Sequence, residues 1–469
     1  MTHGLPYSFS AGQKLTKGVQ KEIAEAIALA KRWVQEVVNP VYLELDAKIE
    51  SDSDFLARTV LAKINEWGLL SLWMPKAFGG GGLSPVSMIA FNEEVGATCI
   101  GTANIIGAHY VALGLVSMTQ NFSLLHRLCL DIKRGEKEKS PCVLAVAITE
   151  PNAGTDLEDV DLMAKAQVKT RVVLQDGGYL LSGSKIFISN SKWARWQIVV
   201  GYEDIARPHK SCVIMAVPGN AKGVTVGRIE EKMGQHLCPA SEVYYEDVVV
   251  PSDNVAISPQ QFRSQHQYEI YCQLLGDDIL SISRAGVGAL AAGSARQSMD
   301  LCRKFLMSEN LLENEWAQIQ LADMYRNYQI AKLITWESGF ATALYGPNRD
   351  VYRTGINFLM RMMPKFLLLS AGLRRSLRER RLRQRGHDKE ISALASTAKY
   401  TASDLAVKNA QIALSMMGEA GLRQENAIEK VLRDIKLLQI YEGTNQLNRI
   451  NVFKNVLAPS HFAPFAESL

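Results

Sequence analysis

No two of the seven cysteines form a CxxC pair, and Cys99, Cys129, Cys142, Cys212, Cys238, Cys272 and Cys302 are scattered over 469 residues. An odd, unclustered set argues against a disulfide framework and a zinc site and leaves buried or free thiols. Charge of one sign is also lacking: 52 Lys+Arg against 48 Asp+Glu give +4, too small at this length for a dedicated nucleic-acid protein. The first twenty residues, MTHGLPYSFSAGQKLTKGVQ, lack a basic region followed by an apolar core and a cleavage site, so no secretory signal is read and the cytoplasm is the expected compartment. No long polar tract occurs, and 47% of residues are apolar. The chain is therefore globular, and at about 150 residues per unit it should hold two to four domains.

What is present changes texture twice. Residues 16–140 contain helically spaced apolar runs such as VQKEIAEAIALAKRWVQEVV. Between 141 and 262 the runs become short and β-branched (PCVLAVAITE, WQIVVGYE, SCVIMAVPG), punctuated by Gly, Asn, Asp and Pro, which predicts an antiparallel sheet. Helical periodicity returns over 263–469 and predicts a helix bundle. The expected fold is thus mainly α with a central β-domain.

Glycine-rich segments do not make a nucleotide loop here. Gly79–Gly82 is not followed by Lys-Ser/Thr and reads as a flexible turn, while GVGALAAG lies inside an Ala-rich helix, where its glycines allow close packing. Two other stretches are more informative. AVAITEPNAGTDLEDV leaves a strand for a turn bearing the hydroxyls of Thr149 and Thr155, and YLLSGSKIFISN ends a strand on Phe187 and Ser189. Such a set suits a flat ring with polar edges, though ordinary strand and turn signals look the same. Glu442, in LQIYEGTNQLNRI, stands between an apolar run and a Gly-Thr step, either as a solvated charge or as a base.

AITEPNAGTD, GSKIFISN, KMGQHLCPASEVYYEDVVVP and LRDIKLLQIYEGTNQLNR resemble, in order and spacing, the signature segments of the acyl-CoA dehydrogenase family, over roughly residues 20–455. The resemblance implies an N-terminal helical domain, a β-barrel-like middle domain and a C-terminal four-helix bundle, usually assembled as a homodimer or homotetramer. It implies FAD, an acyl-CoA substrate and an electron-transfer flavoprotein as electron acceptor. Glu442 matches the base of the short-chain, medium-chain and glutaryl-CoA members, with Gly443 beside it at the substrate. In isovaleryl and long-chain members the base precedes an arginine, and Ser283 before Arg284 occupies that position here. By the same matching Ile148, Thr149, Phe187 and Ser189 would meet the flavin ring, and Thr444 and Gln446 the adenosine half of FAD. Thr155 would touch the CoA arm or the FAD phosphates and Arg284 would lie near CoA, whereas Glu150 and Asp156 read as turn and cap residues.

The chain also departs from the family. CRKFLMSENLLENEW replaces an Arg-x-x-Phe-Gly segment, leaving Arg303 or Lys304 to stand in for the arginine. SMMGEAGL places Ser415 and Glu419 where a glutamine and a glycine are usual. A changed cofactor grip, or a flavin-poor partner subunit, are both compatible with this, and an acyl-CoA oxidase is a further alternative. Residues 346–390 form an insertion in which Ile356, Leu359, Met360, Met363 and Leu367 share a face opposite Asn357, Arg361 and Lys365, ahead of seven arginines from Arg374 to Arg385. It is too short and too charged to span a bilayer; it fits a peripheral membrane contact at the inner face, an acidic partner, or an extra helix packed on the bundle. The helix CIGTANIIGAHYVALGLV should line an uncharged acyl pocket, with His109 either in that pocket or in the core.

Overall fold

The computed structural model describes residues 16–48, 52–346, 360, 362–383 and 387–458. In the first helical unit α1 (Lys17–Trp33) starts where the Thr16 hydroxyl accepts from Val19 N at 3.3 Å, and it buries Ala26, Ala30 and Trp33 along one stripe. After short helices at Tyr42–Lys48, Ser53–Leu56 and Ala62–Glu66, the longer ones are α2 (Pro85–Gly96), opened by its proline, then α3 (Ile100–Met118) and α4 (Phe122–Lys137). α3 is long and apolar enough to cross a membrane, but most of it is buried inside the protein as a core helix. The Gly79–Gly82 segment is a fixed turn rather than a flexible one, since Gly81 N donates to Ser71 O at 3.0 Å and Gly82 N to Met74 O at 2.8 Å.

The β-rich unit is one eight-stranded sheet in the order β6-β7-β3-β2-β4-β5-β8, with β1 beside β4. Its strands are β1 (Val143–Ala147), β2 (Arg171–Gln175), β3 (Gly178–Ser189), β4 (Ala194–Tyr202), β5 (Cys212–Pro218), β6 (Val224–Ile229), β7 (Ala240–Pro251) and β8 (Val255–Ile257). β3 and β7 form the longest antiparallel ladder, pairing Lys185 with Val243 and Ser189 with Ala240. The sheet is not wholly antiparallel, because β1 runs parallel to β4 and the long 148–193 stretch supplies the crossover such pairing needs.

Beside the short helix Lys365–Leu368, the helices described after the sheet are α5 (Gln265–Ser308), α6 (Glu315–Tyr345), α7 (Ala371–Arg383), α8 (Asp388–Met417), α9 (Ile428–Leu438) and α10 (Asn445–Val452). α5, α6 and α8 pack on one another, and α2 packs on α5. That last contact is backbone to backbone: a Cβ at Gly293 would stand 2.1 Å from Glu93 O, so the GVGALAAG glycine permits the close approach its sequence predicts. All seven cysteines are free and buried or half-buried.

Within the insertion, Ile356, Asn357, Leu359, Arg361 and Arg385 lie outside the described residues. α7 docks against the body of the protein. Arg378 is buried, donating to Thr119 O (3.1 Å), Gln261 Oε1 (2.9 Å) and Ala256 O (3.2 Å), and its guanidinium lies over Phe262 and Tyr271. Arg381 holds Asp278 at 2.7 and 3.1 Å and Asp388 at 3.1 Å.

Candidate active site

Past the end of α9 the chain makes a tight loop before Thr444 caps α10, and two successive residues of that loop are left-handed, Glu442 at φ 56° and Gly443 at φ 73°. Glycine tolerates this at little cost, but glutamate does so only when its surroundings hold it there. Asn448 Nδ2 donates to the carbonyls of Glu442 (3.2 Å), Gly443 (2.9 Å) and Thr444 (3.0 Å). Lys399 Nζ, fully buried on α8, donates to Gly443 O at 2.6 Å, and Arg284 Nε, on α5, donates to Glu442 O at 3.2 Å. The loop carbonyls are thus engaged from behind, while Ser283 Oγ donates to Glu442 Oε2 at 2.5 Å from the front.

Part of Glu442 remains open to solvent, yet enough protein surrounds its carboxyl for desolvation to be the largest influence on it. Its proton affinity is raised by burial, against the opposing pull of the Ser283 bond, Arg284 and Lys399. Burial also pushes the nearby Glu158 up to about 7 and pulls Lys399 down to about 7. A carboxylate made more basic in this way can take a proton from a weak carbon acid at neutral pH.

The ring-side residues come together where β1 and β3 end. Lys185 Nζ donates to Ile148 O at 2.8 Å and Ile186 N to Thr149 O at 3.0 Å, which sets Ile148 and Thr149 beside the Phe187–Ser189 end of β3. Phe187 is 55% exposed and left-handed at φ 59°, so an apolar ring is held out of the sheet in a conformation that costs energy. The turn that follows ties this edge to the Glu442 loop. Glu150, buried, pairs with Lys185 at 2.9 Å and accepts from Lys169 N at 2.5 Å, and Asp156 accepts from Gly154 N at 2.7 Å, both as local structural acceptors. Thr155 is half-buried at the start of a single 3-10 turn whose last residue, Glu158, meets Arg284 Nη2 at 3.2 Å. A second tie runs through Gln235, whose backbone N donates to Asp434 Oδ1 at 2.5 Å and whose side chain donates to Tyr441 Oη at 3.2 Å, next to Glu442.

Three domain profiles match this chain: acyl-CoA dehydrogenase N-terminal domain over residues 20–120, middle domain over 145–248 and C-terminal domain over 370–457. The chain belongs to the acyl-CoA dehydrogenase family. Cyclohex-1-ene-1-carbonyl-CoA dehydrogenase of Syntrophus aciditrophicus is 28% identical over 84% of this chain and 81% of its own length. The protein of the same name from Geobacter metallireducens is 27% identical over 94% of this chain and 100% of its own. In fold the chain is similar to butyryl-CoA dehydrogenase from Megasphaera elsdenii, with a TM-score of 0.70 at 22% identity, covering 94% of this chain and 98% of that one. As a member of this family the protein is an oxidoreductase, and the family implies a flavin cofactor.

The residues fit a flavin ring. Among the described residues no hydrogen bond engages the hydroxyl of half-buried Thr149, whose carbonyl accepts from Ile186 N, the residue before the exposed Phe187. The other residues matched from the sequence are placed differently. Thr444 uses its hydroxyl to cap α10, accepting from Leu447 N at 3.3 Å, and Gln446 is exposed on the first turn of that helix. Arg284, expected near CoA, is buried with its donors turned to Glu442, Glu158 and Ser396. Arg303, Lys304 and Glu419 are exposed, and Ser415 lines a surface pocket of about 320 Å³ with Trp316, Gln320, Lys408 and Gln411.

His109 is a core residue. It accepts at Nδ1 from Leu144 N at 3.1 Å and meets Leu70 O with Nε2 at 3.0 Å, so it is the neutral tautomer protonated on Nε2, and burial holds it down at about 4. The sequence reading missed Lys399, Glu158, Asn448 and the bond between Ser283 and Glu442. Only Lys399 left a signal: it sits among Ala395, Ser396, Ala398, Ala402 and Ser403, a small-residue face where a lysine is buried only with partners.

Proposed function

We propose that the protein catalyses FAD-dependent α,β-dehydrogenation of an acyl-CoA thioester to the trans-2-enoyl-CoA, with Glu442 as the base and an electron-transfer flavoprotein as acceptor. The observation that supports this most is the half-buried carboxylate of Glu442, raised by desolvation, on a loop fixed by Lys399, Arg284 and Asn448. Glu442 takes the α-proton, leaving an enolate-like thioester whose negative charge needs hydrogen-bond donors. Bound beside Thr149, Phe187 and Ser189, the flavin would supply the electron sink that receives the β-hydrogen as hydride. Ser283 fixes the carboxylate's direction, and desolvation keeps it basic enough to accept the proton.

The acyl group is proposed to be uncharged and alicyclic, because the two curated relatives above carry that substrate in their names and the buried part of α3 bears no arginine for a distal carboxylate. Anaerobic addition of saturated and ring acyl-CoAs to the protein carrying FAD tests both points, with loss of visible flavin absorbance as readout. Bleaching is expected with a ring acyl-CoA in preference to a butyryl one. Glu442→Gln should bind flavin and CoA ester normally yet lose turnover by on the order of 10³–10⁴-fold, since a neutral amide cannot take the proton. Near-normal turnover in that variant would sink the assignment of the base. Stoichiometric peroxide in air would favour an oxidase, and a colourless protein that FAD cannot reconstitute would favour a partner subunit.

A further inference from the structure

The turn leaving the ring side of the site delivers Glu158 to the back of the base loop. Its Oε2 accepts from Arg284 Nη2 at 3.2 Å, while the same guanidinium donates through Nε to the Glu442 carbonyl at 3.2 Å. A Cβ on Gly443 would stand 2.8 Å from that oxygen, so the carboxylate lies against the α-carbon of the residue after the base. One arginine and one glycine therefore connect the two carboxylates, and Lys399 holds Gly443 O from the other helix at 2.6 Å.

The surroundings contain few other charges. Asp159 and Asp161, on the same turn, are drawn away onto Lys454 at 2.8 to 2.9 Å. Among the described residues the other titratable neighbours are Asp277, two turns before Arg284 on α5 and under its influence, Asp404, which acts on Lys399 from the same helix, and the Tyr441 phenol beside Glu442. Two carboxylates thus share a desolvated site with Arg284 and Lys399. Glu158 keeps 22% of its side-chain surface exposed, so protons can reach it.

We propose that Glu158 is a positioning residue for Glu442: as an anion braced on Arg284 it holds the base loop in its left-handed turn and keeps the base carboxylate avid for a proton. The inference rests on the reading of Glu442 as base. A negative charge next to Glu442 opposes its ionisation, so removing that charge makes Glu442 ionise at lower pH and accept a proton less readily. Burial holds Glu158 up at about 7, with Arg284 opposing and Glu442 adding to the effect, so the charge beside the Glu442 loop changes near neutral pH.

Two measurements on Glu158→Gln test this. The first is the pH profile of kcat and KM for the FAD-loaded protein; the second is a difference-infrared titration of the carboxyl stretch in protein without substrate. In Glu158→Gln the titration of Glu442 should move down by about one pH unit, kcat should fall about tenfold and KM should change little. A Glu442 titration that stays at its wild-type pH overturns the proposal even where activity falls, because a space-filling role would lower activity without moving it. Should Glu158→Gln fail to fold, Glu158→Asp decides, a smaller downward shift supporting the coupling and an unmoved titration overturning it. Activity surviving in Glu442→Gln would count against the base assignment alone, since the infrared titration of Glu158→Gln still reports whether the carboxylates are linked.

Discussion

At the scale of single residues, the site is assembled from groups whose ionic character is changed by burial, and His109 shows the thermodynamic cost most simply. Its folded-state pKa of about 4 lies below the ordinary value of 6.5, so below pH 6.5 the unfolded chain gains a proton that the folded chain does not. Stability is therefore intact at neutral pH and is lost as the pH falls from 6.5 towards 4, by about 2 kcal/mol between pH 7 and pH 5 from this residue alone. Urea unfolding at the two pH values should show a smaller drop in His109→Gln, whose amide can still meet Leu70 O and Leu144 N. An equal drop in the variant would mean that other groups carry the acid sensitivity. Glu442 was legible in the sequence because YEGT places it before a glycine in a recognisable segment. Glu158 was not, because it stands among Asp156, Asp159 and Asp161 and reads as part of a solvated acidic turn. Its function depends on Arg284, 126 positions away, and nothing local to it announces that partner.

At the scale of elements, α5 carries the bonds to Glu442 and also the contact between the two helical units. Gly293 meets the backbone of α2 with no space for a methyl group, whereas a Cβ at Gly276 on the same helix would meet nothing within 4 Å. Gly293→Ala should therefore lower stability by about 1–3 kcal/mol through overpacking, while Gly276→Ala should be neutral or stabilising by about 0.5–1 kcal/mol from helix propensity. Thermal or denaturant midpoints of the pair check this directly, and equal effects would refute the backbone contact. The helices and strands themselves were readable, because apolar spacing changes period at the points where the structure changes class. The parallel partner of β1 was not, because alternation along a strand fixes which face is buried and leaves its neighbour's direction open.

At the scale of the whole molecule, Arg378 joins segments that are far apart in sequence: the end of α3 at Thr119, β8 at Ala256, Gln261 ahead of α5, and Tyr271 within it. Arg378→Leu would strand buried carbonyl acceptors and should cost about 2–4 kcal/mol, with faster proteolysis near α7. Arg375→Leu, on the exposed side of the same helix, should leave the melting temperature unchanged. Matching losses in the two variants would show that the helix is held by something other than this residue. In the sequence the arginines of this segment form one undifferentiated basic run, and only the tertiary environment separates the structural ones from the solvated ones.

The bond between Ser283 and Glu442 has a consequence for how such a site can change over time. Position 283 is where the isovaleryl and long-chain members, by the sequence matching, carry their carboxylate, and here its hydroxyl touches the carboxylate that this chain carries on a different element. With Glu442 as the proposed base, the reacting carbon of a substrate is served by a location that two separate stretches of chain can both occupy. A lineage can exchange one supplier for the other through an intermediate bearing both, without moving substrate or cofactor. Descent in this family can thus preserve the point of proton removal while the residue performing it changes its place in the sequence.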